Sequence, residues 1–140
     1  MDMMALRRRL LSCSKNIKNL INPISGNDVY YSDYNHYTIS NGSVIVTDVT
    51  LMGFKVKCKP NTQYTFSYTQ SKETGIRVAT FTQEPTGMNA QTKFLVNKSG
   101  STMETFTTDA DSEWLACGFY VSGWMATGGA TVSDFMLIES

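Results

Sequence analysis

Two periodicities divide the chain. Through residue 21, Met3, Leu6, Leu10, Cys13, Ile17 and Leu20 recur at spacings of three and four, the apolar stripe of an amphipathic helix. Asp2 is placed to cap its start and Asn22-Pro23 to stop it, because the residue before a proline is pushed out of the helical region. Ser12, Ser14, Asn16 and Asn19 are poor helix formers, and a lone helix of this length is marginal in water. The segment is therefore expected to bury its stripe on a partner. From Asn22 onward the apolar residues alternate with polar ones in short runs broken by Gly, Pro, Asn and Asp, which predicts strands. The runs cover residues 34–40, 43–48, 54–59, 63–69, 76–83, 92–96, 102–107, 114–121 and 130–139, a density that fits a sandwich.

The expected fold is thus all-β, a two-sheet antiparallel jelly-roll sandwich over residues 22–140, preceded by a short basic amphipathic arm or helix over residues 1–21. Alternation assigns Val44 and Val46, Phe54, Val56 and Cys58, Tyr64, Phe66 and Tyr68, and Leu115, Cys117, Phe119 and Val121 to the core. Asn41-Gly42 between two alternating runs predicts a tight hairpin, since both residues tolerate positive φ. Pro60-Asn61 marks a further turn.

Charge separates the two parts again. Lysines and arginines number 12, as do the acids, so no global field draws in nucleic acid or acidic lipid. Yet Arg7, Arg8, Arg9, Lys15 and Lys18 face only Asp2 within the arm. The stretch after Arg9 is too short on apolar residues for a secretory signal, while an organelle transit peptide stays open as an alternative. No run approaches the ~20 apolar residues of a membrane span. Leu6, Arg7, Arg8, Arg9, Leu10 and Leu11 are the expected partner-docking residues, with a homo-oligomer, a trimer for instance, compatible with the spacing. Cys13, Cys58 and Cys117 are odd in number and far apart and read as free thiols, a bridge between Cys58 and Cys117 being the alternative.

Catalytic chemistry is thinly represented. His36 is the single histidine, without a nucleophile beside it in sequence, and no zinc spacing, phosphate loop or dinucleotide fingerprint occurs, so neither catalytic residues, metal nor cofactor is expected. Asp109, Asp111 and Glu113 offer alternating carboxylates, but their Thr- and Ser-rich surroundings read as a turn. Binding chemistry is better represented. Tyr30, Tyr31, Tyr34 and Tyr37 crowd one short stretch with Asp33, Asn35 and His36, and Trp124 sits among glycines. Flat rings beside amide, carboxylate or imidazole groups match the apolar faces and hydroxyls of sugars; half of such tyrosines in a strand would equally serve the core. Tyr31, Tyr34, Tyr37 and Trp124 are the candidate glycan contacts, whereas Trp114, opening an apolar strand, is expected to be structural.

Three stretches, Lys59-Pro60-Asn61-Thr62-Gln63-Tyr64-Thr65-Phe66-Ser67-Tyr68, Thr105-Phe106-Thr107-Thr108-Asp109-Ala110-Asp111 and Thr131-Val132-Ser133-Asp134-Phe135-Met136-Leu137-Ile138-Glu139, carry a resemblance. Together they resemble carbohydrate-binding-module-like jelly rolls of bacteriophage and prophage tail, baseplate and other accessory virion proteins, over about residues 19–140. The resemblance implies a non-enzymatic virion protein whose jelly roll binds host surface glycan or, as the alternative, only decorates and stabilises the head or tail. Such modules are often appended to longer proteins, which gives the arm weight as the expected contact with other virion proteins.

Overall fold

The computed structural model describes residues 3–5, 18–21, 29–33, 36–86, 93–122 and 129–140. Ten antiparallel strands are present among them: β1 (Val29–Asp33), β2 (Tyr37–Ser40), β3 (Ser43–Val46), β4 (Thr50–Lys57), β5 (Gln63–Gln70), β6 (Gly75–Phe81), β7 (Lys93–Ser99), β8 (Met103–Thr107), β9 (Trp114–Val121) and β10 (Ala130–Glu139). Sheet I has the order β1-β4-β9-β6-β7 and sheet II the order β2-β3-β10-β5-β8. The chain changes sheet at every connection except the hairpins β2–β3 and β6–β7. This is the expected two-sheet antiparallel jelly roll.

All nine expected strands exist; β9 and β10 match their expected runs to the residue and the others have shifted ends. Asn41 and Gly42 have φ of 50° and 78° and join β2 to β3 with Ser40 opposite Ser43, the hairpin the Asn-Gly pair predicts. Three departures have physical reasons. β4 begins at Thr50, four residues before the alternation does, because Thr50 through Phe54 are buried on both faces and both phases are therefore apolar or small. β1 was not expected as a strand at all; it pairs with β4 from Val29 to Asp33 through an irregular step between Val29 and Tyr31. Of the first expected run, residues 37–40 form β2, and Tyr34 and Asn35 lie outside the described residues.

The core is an aromatic cluster centred on Phe135. Its ring lies 4.9 Å from Phe54 and 6.2 Å from Phe119 of sheet I, and 6.4 Å from Phe66 and 5.7 Å from Tyr68 of sheet II. Simple alternation along β10 would not put it there. Val132 points inward, so an unbroken strand would turn Asp134 inward and Phe135 out. Asp134 instead takes φ 54° where the β10–β5 register shifts between Ser133 and Met136. This bulge resets the phase, so that Asp134 is exposed and Phe135 and Leu137 are buried. Every inward residue expected from β3, β5 and β9 is buried, while Val56 and Cys58 are half-buried against the same core.

The pairing of β10 with β3 ends at Val132, which leaves one edge of β10 open. The chain before β1 fills it. Leu20 N donates to Leu137 O at 2.9 Å; Asn19 Nδ2 donates to Phe135 O at 2.9 Å, and Asn19 Oδ1 accepts from Leu137 N at 3.0 Å. Ile21 is buried in the core behind them. Residues 3–5 are helical, but Leu20, the last position of the expected helical stripe, is non-helical and bonds to β10 instead; the stripe positions Leu6, Leu10, Cys13 and Ile17 and the expected docking residues Leu6, Arg7, Arg8, Arg9, Leu10 and Leu11 fall outside the described residues.

Phe135→Ala removes the ring that touches both sheets and leaves a void that neither sheet can collapse to fill. We expect a loss of about 3–5 kcal/mol in unfolding free energy by urea titration. A loss below about 1 kcal/mol would contradict the central position of this ring.

Candidate functional site

The outward face of sheet I is unlike an ordinary solvated sheet surface. Reading the register across the strands, one row runs Leu51, Tyr120, Gly75; the next Gly53, Gly118, Arg77, Asn97; the third Lys55, Ala116, Ala79, Phe94; the fourth Lys57, Trp114, Phe81. The middle rows are floored by glycine and alanine, and Ala79 and Ala116 are buried with Leu51 in a second apolar cluster under Phe81, Phe94 and Tyr120. Close packing requires these small residues. A Cβ on Gly118 would strike Met52 O of the adjacent strand, and one on Gly75 would fall inside the Tyr120 ring, which lies across that glycine. Phe94 faces outward because a bulge at Val78/Ala79 reverses the phase of β7. Trp114, Phe81, Phe94 and Tyr120 are all half-buried. They form an aromatic strip on one face.

Beyond Phe81 the strip meets a hollow of about 320 Å³ at the end of the sandwich, lined by Thr80, Phe81, Thr82, Gln83, Lys93, Asp109 and Asp111. Lys93 Nζ donates to Asp109 Oδ2 at 2.7 Å, and this carboxylate raises the lysine pKa above its ordinary value. The loop carrying the acids is built by hydroxyls. Thr108 Oγ1 donates to Lys59 O at 2.7 Å and accepts from Thr62 N at 2.9 Å, while Ser112 Oγ shares a buried 2.6 Å hydrogen bond with Thr80. Hence Asp109 and Asp111 occupy a fixed turn, as their Thr- and Ser-rich context implies. A second hollow, about 360 Å³, lies on the other side of Asp111 and is lined by Cys58, Lys59, Pro60 and Glu113 among others.

Other reactive groups serve the fold. His36 Nδ1 lies 2.9 Å from Val49 O and so donates to it, while His36 O accepts from Thr47 N at 2.8 Å and Thr50 Oγ1 at 3.1 Å, a clasp between the chain before β2 and the turn before β4. Cys58 and Cys117 are free thiols. Among the described residues no group of three His, Cys, Asp or Glu is arranged to hold a metal, and no helix is long and apolar enough to cross a membrane.

The structure separates the residues that the sequence singled out. Tyr31 lies on β1 opposite Gly53, in the register row that continues to Gly118, Arg77 and Asn97. Tyr37 lies on β2 in the other sheet and packs half-buried against the core. Tyr34 and Trp124 fall outside the described residues. Sequence reasoning passed over Arg77, Phe81, Phe94 and Tyr120. The signal was present in the phase opposite the core in β6 and β9, where Arg77, Ala79 and Phe81 alternate with Ile76, Val78 and Thr80, and Ala116, Gly118 and Tyr120 with Leu115, Cys117 and Phe119.

No family model matches the chain, and neither does any curated protein. Among solved structures, one described as "CBM4 structure and function" is similar, with a TM-score of 0.47 and 20% identity over 80% of this chain and 93% of that one.

Burial, reinforced by Glu113, pushes the Cys58 thiol up to about 11, and burial raises Cys117 further. A raised thiol pKa keeps the unreactive protonated form dominant until the pH approaches that value. We expect iodoacetamide at pH 8.5 to modify native Cys58 at least about ten-fold more slowly than in urea, and Cys117 only in urea. Mass spectrometry of the digested protein reads both, and fast native labelling of Cys117 would contradict the packing of β9.

Proposed function

We propose that the protein is a non-catalytic glycan-binding sandwich that engages sugar along the outward face of sheet I and is held on a larger particle by its N-terminal arm. The observation that carries the reading is the continuity of the aromatic strip with the polar hollow. Phe81 belongs to both, with Trp114 beside it in register and Gln83, Lys93, Asp109 and Asp111 beyond. Rings take the C–H faces of a sugar, and amide, ammonium and carboxylate groups take its hydroxyls. Tyr31, Tyr34 and Trp124 join the proposed contacts, Tyr31 through its register row.

The absence of catalysis is part of the same proposal. The carboxylate of Asp109 is committed to Lys93, His36 is committed to Val49, and the thiols are buried or half-buried. For the setting we propose the surface of a bacteriophage head, tail or baseplate, following the sequence resemblance, with other virion proteins as arm partners and an oligomer as the working form. The Asn19 clamp on β10 supports a division of labour with its border before Asn19, since residues 19–21, expected in the arm, are fastened to the sandwich.

Glycan-array binding followed by calorimetry tests the ligand. Trp114→Ala and Phe81→Ala should each weaken binding about three- to ten-fold with circular dichroism unchanged. Removal of residues 1–18 should leave glycan affinity intact while abolishing incorporation into particles. If no glycan binds the intact protein but incorporation still depends on the arm, the role is decoration of the particle alone.

A further inference from the structure

The most confined cation on the outward face of sheet I is Arg77. Its Cζ lies 4.2 Å from the centroid of the Tyr120 ring and 5.2 Å from that of Phe94. The placement follows from the register. Two residues before Arg77 on β6 is Gly75, roofed by Tyr120; two residues after it is Ala79, opposite Phe94. The side chain therefore rises between two rings, each made possible by a residue too small to compete for the space. Nε donates to Asn97 Oδ1 at 3.1 Å, which fixes rotation of the guanidinium about its stem. Such an arginine has already lost the rotamer freedom that binding would otherwise remove.

Among the described residues Arg77 has no anionic partner. The four ion pairs among the described residues join Lys55 to Glu84, Lys59 to Glu139, Lys93 to Asp109 and Lys98 to Glu104, and none uses Arg77. Asp33, opposite Leu51 on β1, is the acid in these rows, and β1 is three strands from β6, about 14 Å at the usual strand spacing. Lys57, exposed in the fourth row, is likewise in no ion pair among the described residues. A chain with formal net charge zero thus carries, on the face with the aromatic strip, two cations in no ion pair among the described residues.

We infer that Arg77 reads a carboxylate, so that the glycans bound on this face are acidic ones such as uronic or sialic acid polymers. With Nε held by Asn97, the two terminal amino groups form a flat fork that matches the two oxygens of a carboxylate, and the contacts with Tyr120 and Phe94 restrict its movement. The flanking rings of Tyr120 and Phe94 then take the apolar faces of the adjoining sugar. This inference rests on the glycan-binding reading and adds the charge of the ligand to it.

The experiment compares acidic glycans, the same glycans with their carboxylates reduced to primary alcohols, and neutral glycans on the full-length protein. Carboxylated members should dominate the array, and reduction should weaken them at least ten-fold. Arg77→Gln should weaken acidic glycans by a similar factor and have no further effect on the reduced ones. Arg77→Lys keeps the charge but not the fork and should fall between, with thermal unfolding confirming that both variants are folded. If neutral glycans bind and Arg77→Gln lowers acidic and reduced ligands alike, the carboxylate inference is wrong while the glycan reading stands. If the protein binds no glycan of any charge, both fall.

Discussion

The sandwich depends on a single change of phase in its last strand. Before Asp134, β10 turns the even-numbered Ala130 and Val132 into the core between the sheets; after it, the odd-numbered Phe135 and Leu137 take that place, with Met136 and Ile138 buried outside that cluster. The left-handed backbone at Asp134 makes that change, and aspartate is among the few side chains that enter this region at modest cost. Phe135 then stands between Phe54 and Phe119 on one side and Phe66 and Tyr68 on the other, so the two sheets meet through one ring. Were the strand regular, a carboxylate would take that place, at a desolvation cost the core could not repay. Pairing with β3 ends at Val132 because β3 itself ends at Ser43 in the Asn41-Gly42 hairpin, and Asn19 and Leu20 occupy the edge of β10 beyond it.

The outward face of sheet I follows a second constraint, the use of residues without bulk. Gly53, Gly118, Ala116 and Ala79 let large rings on neighbouring positions lie over the strands instead of standing away from them. A ring that lies down shelters the floor yet keeps a flank in contact with solvent, which is why these aromatics are half-buried and neither core nor free surface. That state is costly for a structure with no partner, because apolar area remains in water. It is the state expected of a surface that completes its burial on a ligand with its own apolar faces.

Legibility in the sequence depended on whether alternation survives along a strand. β3, β5 and β9 keep it, and it made their existence and their inward residues readable from Val44, Val46, Tyr64, Phe66, Tyr68, Leu115, Cys117, Phe119 and Val121. The first half of β4 is covered on both faces, so Thr50, Leu51, Met52 and Gly53 showed no period and the start of β4 was missed. The same double coverage hid the site. Tyr120 and Phe81 read as ordinary strand aromatics, because alternation tells which residues share a face and not what covers each face. Bulges were invisible for a related reason: at β7 and β10 they invert the rule that the reading relied on, and Phe94 reached the outward face only through such an inversion. The tyrosine cluster gave a strong composition signal without a position, and β1 and β2 split it between two sheets.

The surroundings of Arg77 show what a net charge leaves out. A total of zero suggested no preference for charged partners, but the sum includes cations whose partners stand beside them and cations whose partners do not. Lys93 and Lys98 are neutralised at 2.7 Å and 3.0 Å, at the loop end of the site and across the gap between β7 and β8. Arg77 has rings in place of a carboxylate. Rings hold a cation without cancelling its charge, since the quadrupole attracts it while leaving its field outside the stack. Stacking therefore preserves a charge where pairing would consume it. The ring contacts and Asn97 thus orient Arg77 without supplying it an ion pair among the described residues.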